Sequence, residues 1–191
     1  MFCIILNHAK GCLLAIGRYF TKGFWRLVLD IYVNVFRNFP VLVIILFIRF
    51  GLPQMGVPIR SAMFAGIMAF TLYCTAIIAE ILRGAIDSVS RGQLEAALAT
   101  GCSKWFAFTR ILLPQAVRYS YPGIAGQMII LLQNTALVTM IGVPDLLNNA
   151  TVIYSRQLNP LETLTLIGVI YFLLCTLLAY IRNVIERRSY I

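Results

Sequence analysis

The chain has 191 residues, is 60% hydrophobic and only 12% charged, and carries a formal net charge of +9 with a mean hydropathy of +0.85. A soluble domain is typically about half apolar and about a quarter charged, so the composition excludes an ordinary soluble domain and reads as one integral membrane domain over 1–191. The surplus of Lys and Arg clusters beside the apolar runs, as the positive-inside rule requires, and does not call for nucleic acid.

Residues 1–26 have apolar content interrupted by His8 and Lys10. A secretory leader would place positive charge before its apolar region and a small-residue cleavage site after it, and neither occurs. The segment reads as a degenerate or truncated first span, or as an interfacial segment. Residues 27–52 are broken in their first half by Asp30, Asn34, Arg37 and Pro40. Pro40 lacks a backbone donor and disfavours helical geometry at Phe39. An interfacial helix to about Asn38 and a short span from Pro40 to about Phe50 are expected, then a turn in GLPQMGVP.

Residues 61–82 form a clear span, with Ala62, Ala65, Gly66 and Ala69 as a small face for close helix packing and Glu80 as its only charge. Residues 123–143 form another, interrupted by Gln133, Asn134 and Thr135. Residues 144–160 read as a connection with a short amphipathic helix, and 163–181 as the last span, followed by Arg182, Arg187 and Arg188. Arg83, Arg91, Lys104, Arg110 and Arg118 flank the stretch between the two middle spans. That stretch and the C-terminus are therefore expected on the cytoplasmic side.

Ser90–Pro114 mixes charge, glycine and apolar residues with helical periodicity. Ser90 is a good N-cap, and Gln93 sits where a capping box needs it. Leu94, Ala97, Leu98 and Gly101 follow i, i+3, i+4, i+7 spacing and share one small-surfaced face suited to a groove. Gly101 is a natural C′ stop, Ser103 can cap a second short helix, and Pro114 is expected to break or kink the path before the next span. A connector lying on lipid headgroups and a docking element for another protein both fit this pattern.

Glu95-Ala96-Ala97, then Gly101, then Ile111-Leu112-Leu113-Pro114, resembles the EAA motif of bacterial ABC importer permeases. Phe36-Arg37-Asn38-Phe39-Pro40, Phe50-Gly51-Leu52-Pro53, Ala79-Glu80-Ile81-Leu82-Arg83-Gly84, Leu113-Pro114-Gln115-Ala116 and Asn134-Thr135-Ala136-Leu137-Val138 leading to Ile141-Gly142-Val143 resemble the polar amino-acid uptake branch. The resemblance covers roughly residues 30 to 188. The chain departs from the family in a short, polar first span and in Phe39, where a small polar residue is commoner.

The resemblance implies an all-α integral membrane protein: a bundle of about five transmembrane helices, the first partial, in the type I ABC importer permease fold. It implies that 87–114 is a cytoplasmic coupling loop, with Glu95, Ala96, Ala97, Leu98, Gly101, Leu113 and Pro114 docking on a cytoplasmic ABC ATPase subunit. It further implies a second permease copy or paralogue, an extracytoplasmic amino-acid-binding protein, and a multi-pass place in the bacterial cytoplasmic membrane among lipid. ATP and Mg would be bound by the ATPase, since a phosphate-binding loop needs Gly-Lys and no such pair occurs here.

Neither catalytic nor metal residues are expected. The single His, the scattered cysteines and the absence of paired carboxylates within a span argue against a membrane enzyme. Glu80 reads as an ion pair with Arg83 one turn on, or as a residue lining the path or bracing the coupling loop. Asn134, Thr135 and Tyr73 are candidates for the translocation path, or for ordinary helix packing. A permease for another small solute and a non-transporting structural subunit are the alternative functions.

Overall fold

A computed structural model describes residues 2–189, with side chains described for 9–156 and 158–186. Arg187 and Arg188 of the expected basic tail lie outside the described side chains. The described residues fold into helices: α1 (Phe2–Phe20), α2 (Phe24–Asn38), α3 (Val41–Leu46), α4 (Leu52–Gln54), α5 (Ala62–Ser88), α6 (Arg91–Ala99), α7 (Lys104–Ala107), α8 (Leu113–Asn134), α9 (Leu146–Gln157) and α10 (Pro160–Ser189). Wider π turns at Phe47–Gly51 and Phe108–Leu112 join α3 to α4 and α7 to α8, and a 3-10 stretch, Thr135–Ile141, extends α8.

Three helical runs are long and apolar enough to cross a membrane: Ala62–Ser88, Lys104–Ile141 and Pro160–Glu186. The pair Phe24–Asn38 and Val41–Gln54, bent where Phe39 and Pro40 break it, qualifies as a fourth only when taken together. The 19-residue α1, expected as a partial first span, is not among these runs; His8, Lys10 and Arg18 dilute its apolar content. The short span expected from Pro40 runs on to Gln54 as helix before the chain turns at Met55 and Gly56.

The chain divides into two compact units. In the first, Met1–Arg37 with Cys74–Ile124, Ala85, Ile86, Val89, Phe108, Leu112 and Ala116 form a buried cluster, and Ile16, Leu94, Ile111 and Leu113 pack against it. Gly11 lets α1 come close to α5, since a Cβ there would lie 2.5 Å from Ile78 Cγ2. In the second unit, Asn38–Tyr73 with Ala125–Ile191, the small face of α5 is used as its sequence suggests. Ala65 and Ala69 are fully buried, and Gly66 faces Val138 at 3.1 Å from an ideal Cβ.

The second unit also holds the expected short helix. Asp145 caps α9 by accepting from the Asn148 N–H at 2.8 Å, and it accepts from the Thr139 hydroxyl as well. Gly142, at φ 78°, makes the left-handed turn that ends the 3-10 stretch.

Two expectations about the central stretch are corrected. Pro114 does not break the path: α7, the π turn and α8 form one helical run from Lys104. A proline is tolerated where a helical segment starts, because its missing N–H falls in the first turn. Here the π turn ends just before it and a new α segment begins at Leu113. Pro122 likewise lies inside α8, so the helix that carries this span starts well before residue 123.

Candidate functional site

α6 is a nine-residue helix between two candidate spans. Its C-terminal stop is the one its sequence announces. Gly101 adopts φ 83°, its N–H donates to the Leu98 carbonyl at 3.0 Å, and the Cys102 N–H donates to the Ala97 carbonyl at 3.1 Å. This is the paired closure of a Schellman turn. Ser103 then caps α7, its hydroxyl accepting from the Phe106 N–H at 3.2 Å.

The start of α6 differs from expectation. Ser90 occupies the N-cap position without a side-chain cap bond. The Gln93 side chain does not reach back to Ser90 but accepts from Gln115 Nε2 on α8, so the capping box is replaced by a bond between helices. Gln115 Nε2 also donates to the Ile111 carbonyl at 2.9 Å.

The face of α6 also differs. Ala97 is buried and Leu94 packs on the cluster beneath, so this part of the small face is turned toward the chain's own core, while Gly101 at its end is exposed. Arg91, Gly92, Glu95, Ala96 and Ala99 are exposed. Leu98 is half-buried, and Leu113 is partly buried against the cluster while Pro114 is exposed. α6 is thus seated by apolar contact on α5, the π turn and α8, and it presents a short outer face of small residues and one carboxylate.

Glu80 has a larger role than a pair with Arg83. Its Oε2 accepts from Arg18 Nη1 at 2.9 Å, and its Oε1 lies 2.8 Å from Arg37 Nη1 and 2.9 Å from Arg83 Nη2. Arg18 also donates from Nε to Asp30 at 2.7 Å, and Arg83 binds Asp87. One carboxylate on α5 therefore gathers arginines from α1, α2 and α5 itself. The pair with Arg37 joins two of the stretches that carry the family resemblance.

Arg18 and Arg37 were not singled out from the sequence as partners of Glu80, nor Asp30 as a partner of Arg18. A usable signal was present. Arg26, Asp30, Val33 and Arg37 share one face of α2, and Val33 is fully buried. The exposed residues Phe24, Leu27, Val28, Ile31 and Val35 form the apolar stripe opposite. In water a helix buries its apolar stripe; α2 instead turns its charged face to the protein, as a helix covered by lipid does.

The other path candidates sit elsewhere. Tyr73, half-buried on α5, and Asn134 and Thr135 belong to the second unit, whereas Glu80 belongs to the first. Asn134 is the last residue of α8 and Thr135 the first of the 3-10 stretch, its hydroxyl donating to the Leu132 carbonyl at 2.6 Å. The polar triplet in an apolar span thus marks a change of helix type. An open cleft of about 240 Å³ lined by Gln133, Ala136, Tyr171, Phe172 and Cys175 lies on this stretch.

Known proteins give this architecture a place. The family described as binding-protein-dependent transport system inner membrane component matches residues 10–189. The probable amino-acid ABC transporter permease protein YckA of Bacillus subtilis (strain 168) is 34% identical over 93% of this chain and 78% of its own length. The arginine transport system permease protein ArtQ of the same organism is 33% identical over 96% and 84%. A crystal structure of an amino acid ABC transporter with histidines superposes with a TM-score of 0.91 at 31% identity, covering 97% of this chain and 86% of that one. The MetNI methionine ABC transporter in inward-facing form shares the fold, with a TM-score of 0.77 at 20% identity over 98% and 88%. With its helical spans and nearly full-length match, the chain belongs to the family of binding-protein-dependent transport system inner membrane components.

Proposed function

We propose that this chain is the membrane-spanning permease subunit of an ATP-driven importer for polar amino acids, and that α6 is the element on which a separate ATPase subunit acts. The substrate class rests on the relatives at 33–34% identity, which are named for amino acids and arginine. The coupling assignment rests on one observation: a capped helix between two spans, seated on a buried cluster, with Glu95, Ala96 and Ala99 turned outward. A partner pushing on that outer face moves α5 and α8 together, because Leu94 packs on the cluster that they share and Gln93 is bonded to Gln115.

In this reading ATP and Mg bind to the ATPase, and this chain contributes no bond chemistry. Two permease copies or paralogues around a two-fold axis would face two ATPases, with a solute-binding protein delivering the amino acid from outside. The cytoplasmic membrane, with α6 and the C-terminus inside, is the setting that the Arg and Lys placement favours. Asn134, Thr135 and Tyr73 are proposed for the path, and Glu80 for bracing the coupling segment.

Replacing Gly101 by Val tests the docking role. A Cβ at Gly101 meets nothing within 4 Å, so the substitution acts through backbone conformation alone. A β-branched residue disfavours the left-handed region by about 1–2 kcal/mol, enough to displace the end of α6. Membrane insertion should persist, while co-purification with the ATPase and amino-acid uptake fall. Unchanged association would sink the docking assignment.

A further inference from the structure

Two polar residues of the second unit meet at the middle of their spans. Gln133 is carried by the run Lys104–Ile141, about midway between Arg118 and Asp145, the nearest charges before and after it. Tyr171 is carried by the run Pro160–Glu186, about midway between Glu162 and Arg182. Both line the cleft of about 240 Å³, together with Ala136, Phe172 and Cys175. A cleft shared by the centres of two uncharged stretches lies deep in the membrane and not at its surface.

Gln133 is exposed on the surface of the chain. Its side chain makes one hydrogen bond among the described residues, donating from Nε2 to Cys175 Sγ at 3.7 Å, and sulfur is a weak acceptor. Against acyl chains the second N–H and the carbonyl would go without partners, which hydrocarbon penalises heavily. The cleft therefore opens on a polar occupant. Its lining says what kind. Gln133 supplies a donor and an acceptor, and Tyr171 a phenol within reach of the Thr135 hydroxyl. Phe172, 68% exposed, adds an apolar ring. None of the five lining residues is charged. Asp145 stands outside the lining, and its Oδ1 is held by the Thr139 hydroxyl and the Asn148 N–H. An ion taken out of water without an opposite charge in contact is penalised far more than a hydrogen-bonded amide or hydroxyl.

We propose that this cleft is a solute subsite for the uncharged polar side chain of an amino acid, and that Gln133 is the residue that selects it. The solute is favoured over a second copy of the chain because the polar groups line a concavity and continue, through Tyr171 and Thr135, into the polar triplet at the end of α8. The subsite rests on the reading of the chain as an amino-acid permease and narrows the solute that it carries.

Cys175 lines the cleft and reports on it without any substitution. The full chain would be solubilised with its ATPase and without a solute-binding protein, so that any selectivity belongs to the span. It would be treated with a small, charged methanethiosulfonate, and modification of Cys175 read by peptide mass. Cys175 is expected to react. Glutamine and asparagine should slow the reaction, while arginine and glutamate at the same concentration leave it unchanged. Gln133→Ala should raise the glutamine concentration needed for protection about five- to tenfold, the scale of one lost hydrogen bond. Gln133→Glu should transfer protection from glutamine to arginine, a switch that a merely structural amide would not produce. An unreactive Cys175, protection by none of the four, or equal protection by charged and uncharged amino acids would overturn the proposal. So would a disulfide joining Cys175 of two copies on mild oxidation, which assigns the cleft to their interface. ATP-driven uptake into vesicles, with the binding protein restored, separates the two levels. Uptake of an uncharged amino acid beside an unprotected Cys175 removes the subsite alone, whereas uptake of no amino acid removes the permease reading beneath it. The comparison of the four amino acids on the unaltered chain decides even if neither variant folds.

Discussion

Glu80 carries a charge on a span where insertion of an ionised side chain costs about 2.5–3.5 kcal/mol. Its side chain is 19% exposed, and three guanidinium groups lie within 2.9 Å of it. The partners are not equivalent. Arg18 is 11% exposed and Arg83 44%. Removing one partner of a buried pair leaves the other charge uncompensated at about 3–5 kcal/mol, whereas an exposed pair is worth about 0–1 kcal/mol. Glu80→Gln should therefore lower thermal stability in detergent markedly and depress uptake, while Arg83→Gln should change stability little. Equal effects of the two substitutions would show that Glu80 is held by its neighbour on α5 and that the contacts to α1 and α2 are dispensable. The short-range part of this site was legible in the sequence, since Arg83 lies one turn from Glu80. The bond to Arg18 spans 62 residues, and nothing local in a sequence reports such a contact. The charged face of α2 pointed to it only once the apolar face was understood as lipid-facing.

At the scale of the element, α6 was readable where its determinants are local. Gly101 ended it through a backbone conformation that glycine adopts freely, and Ser103 opened the next helix with its own hydroxyl. It was misread where a tertiary contact competed. Gln93 left its expected cap for Gln115, and a π turn carried the helix past Pro114. The periodicity of Leu94, Ala97 and Leu98 found a real face, but period alone does not say whether a face meets the chain's own core or a partner. Two alanines separate these cases. Ala97 is buried and Ala96 exposed. Ala97→Leu should overpack the seat of α6 at about 1–3 kcal/mol, lowering stability of the isolated chain. Ala96→Trp should leave that stability unchanged and abolish co-purification with the ATPase. If Ala96→Trp still co-purifies and transports normally, the outer face of α6 is not the docking surface.

For the whole molecule, sidedness is the property on which the proposed mechanism turns. An element receives force from a cytoplasmic ATPase only if it lies on the cytoplasmic side, and the argument for that side is the distribution of Arg and Lys between the two ends of the spans. The proposed topology puts α6 inside, α9 outside and the end of α10 inside again. Three exposed positions report on this path: Glu95 on α6, Asn149 on α9 and Asn183 near the end of α10. Single cysteines at these positions, in a chain whose own five cysteines have been replaced by serine or alanine, should divide cleanly under a membrane-impermeant maleimide. In intact cells only Asn149→Cys should react. In inside-out vesicles Glu95→Cys and Asn183→Cys should react and Asn149→Cys should not. Labelling of Glu95→Cys in intact cells would put α6 outside, away from any ATP, and the coupling role would fall with it. Agreement of Glu95 and Asn183 on one side, opposite Asn149, fixes the path of the three spans independently of which amino acid passes through.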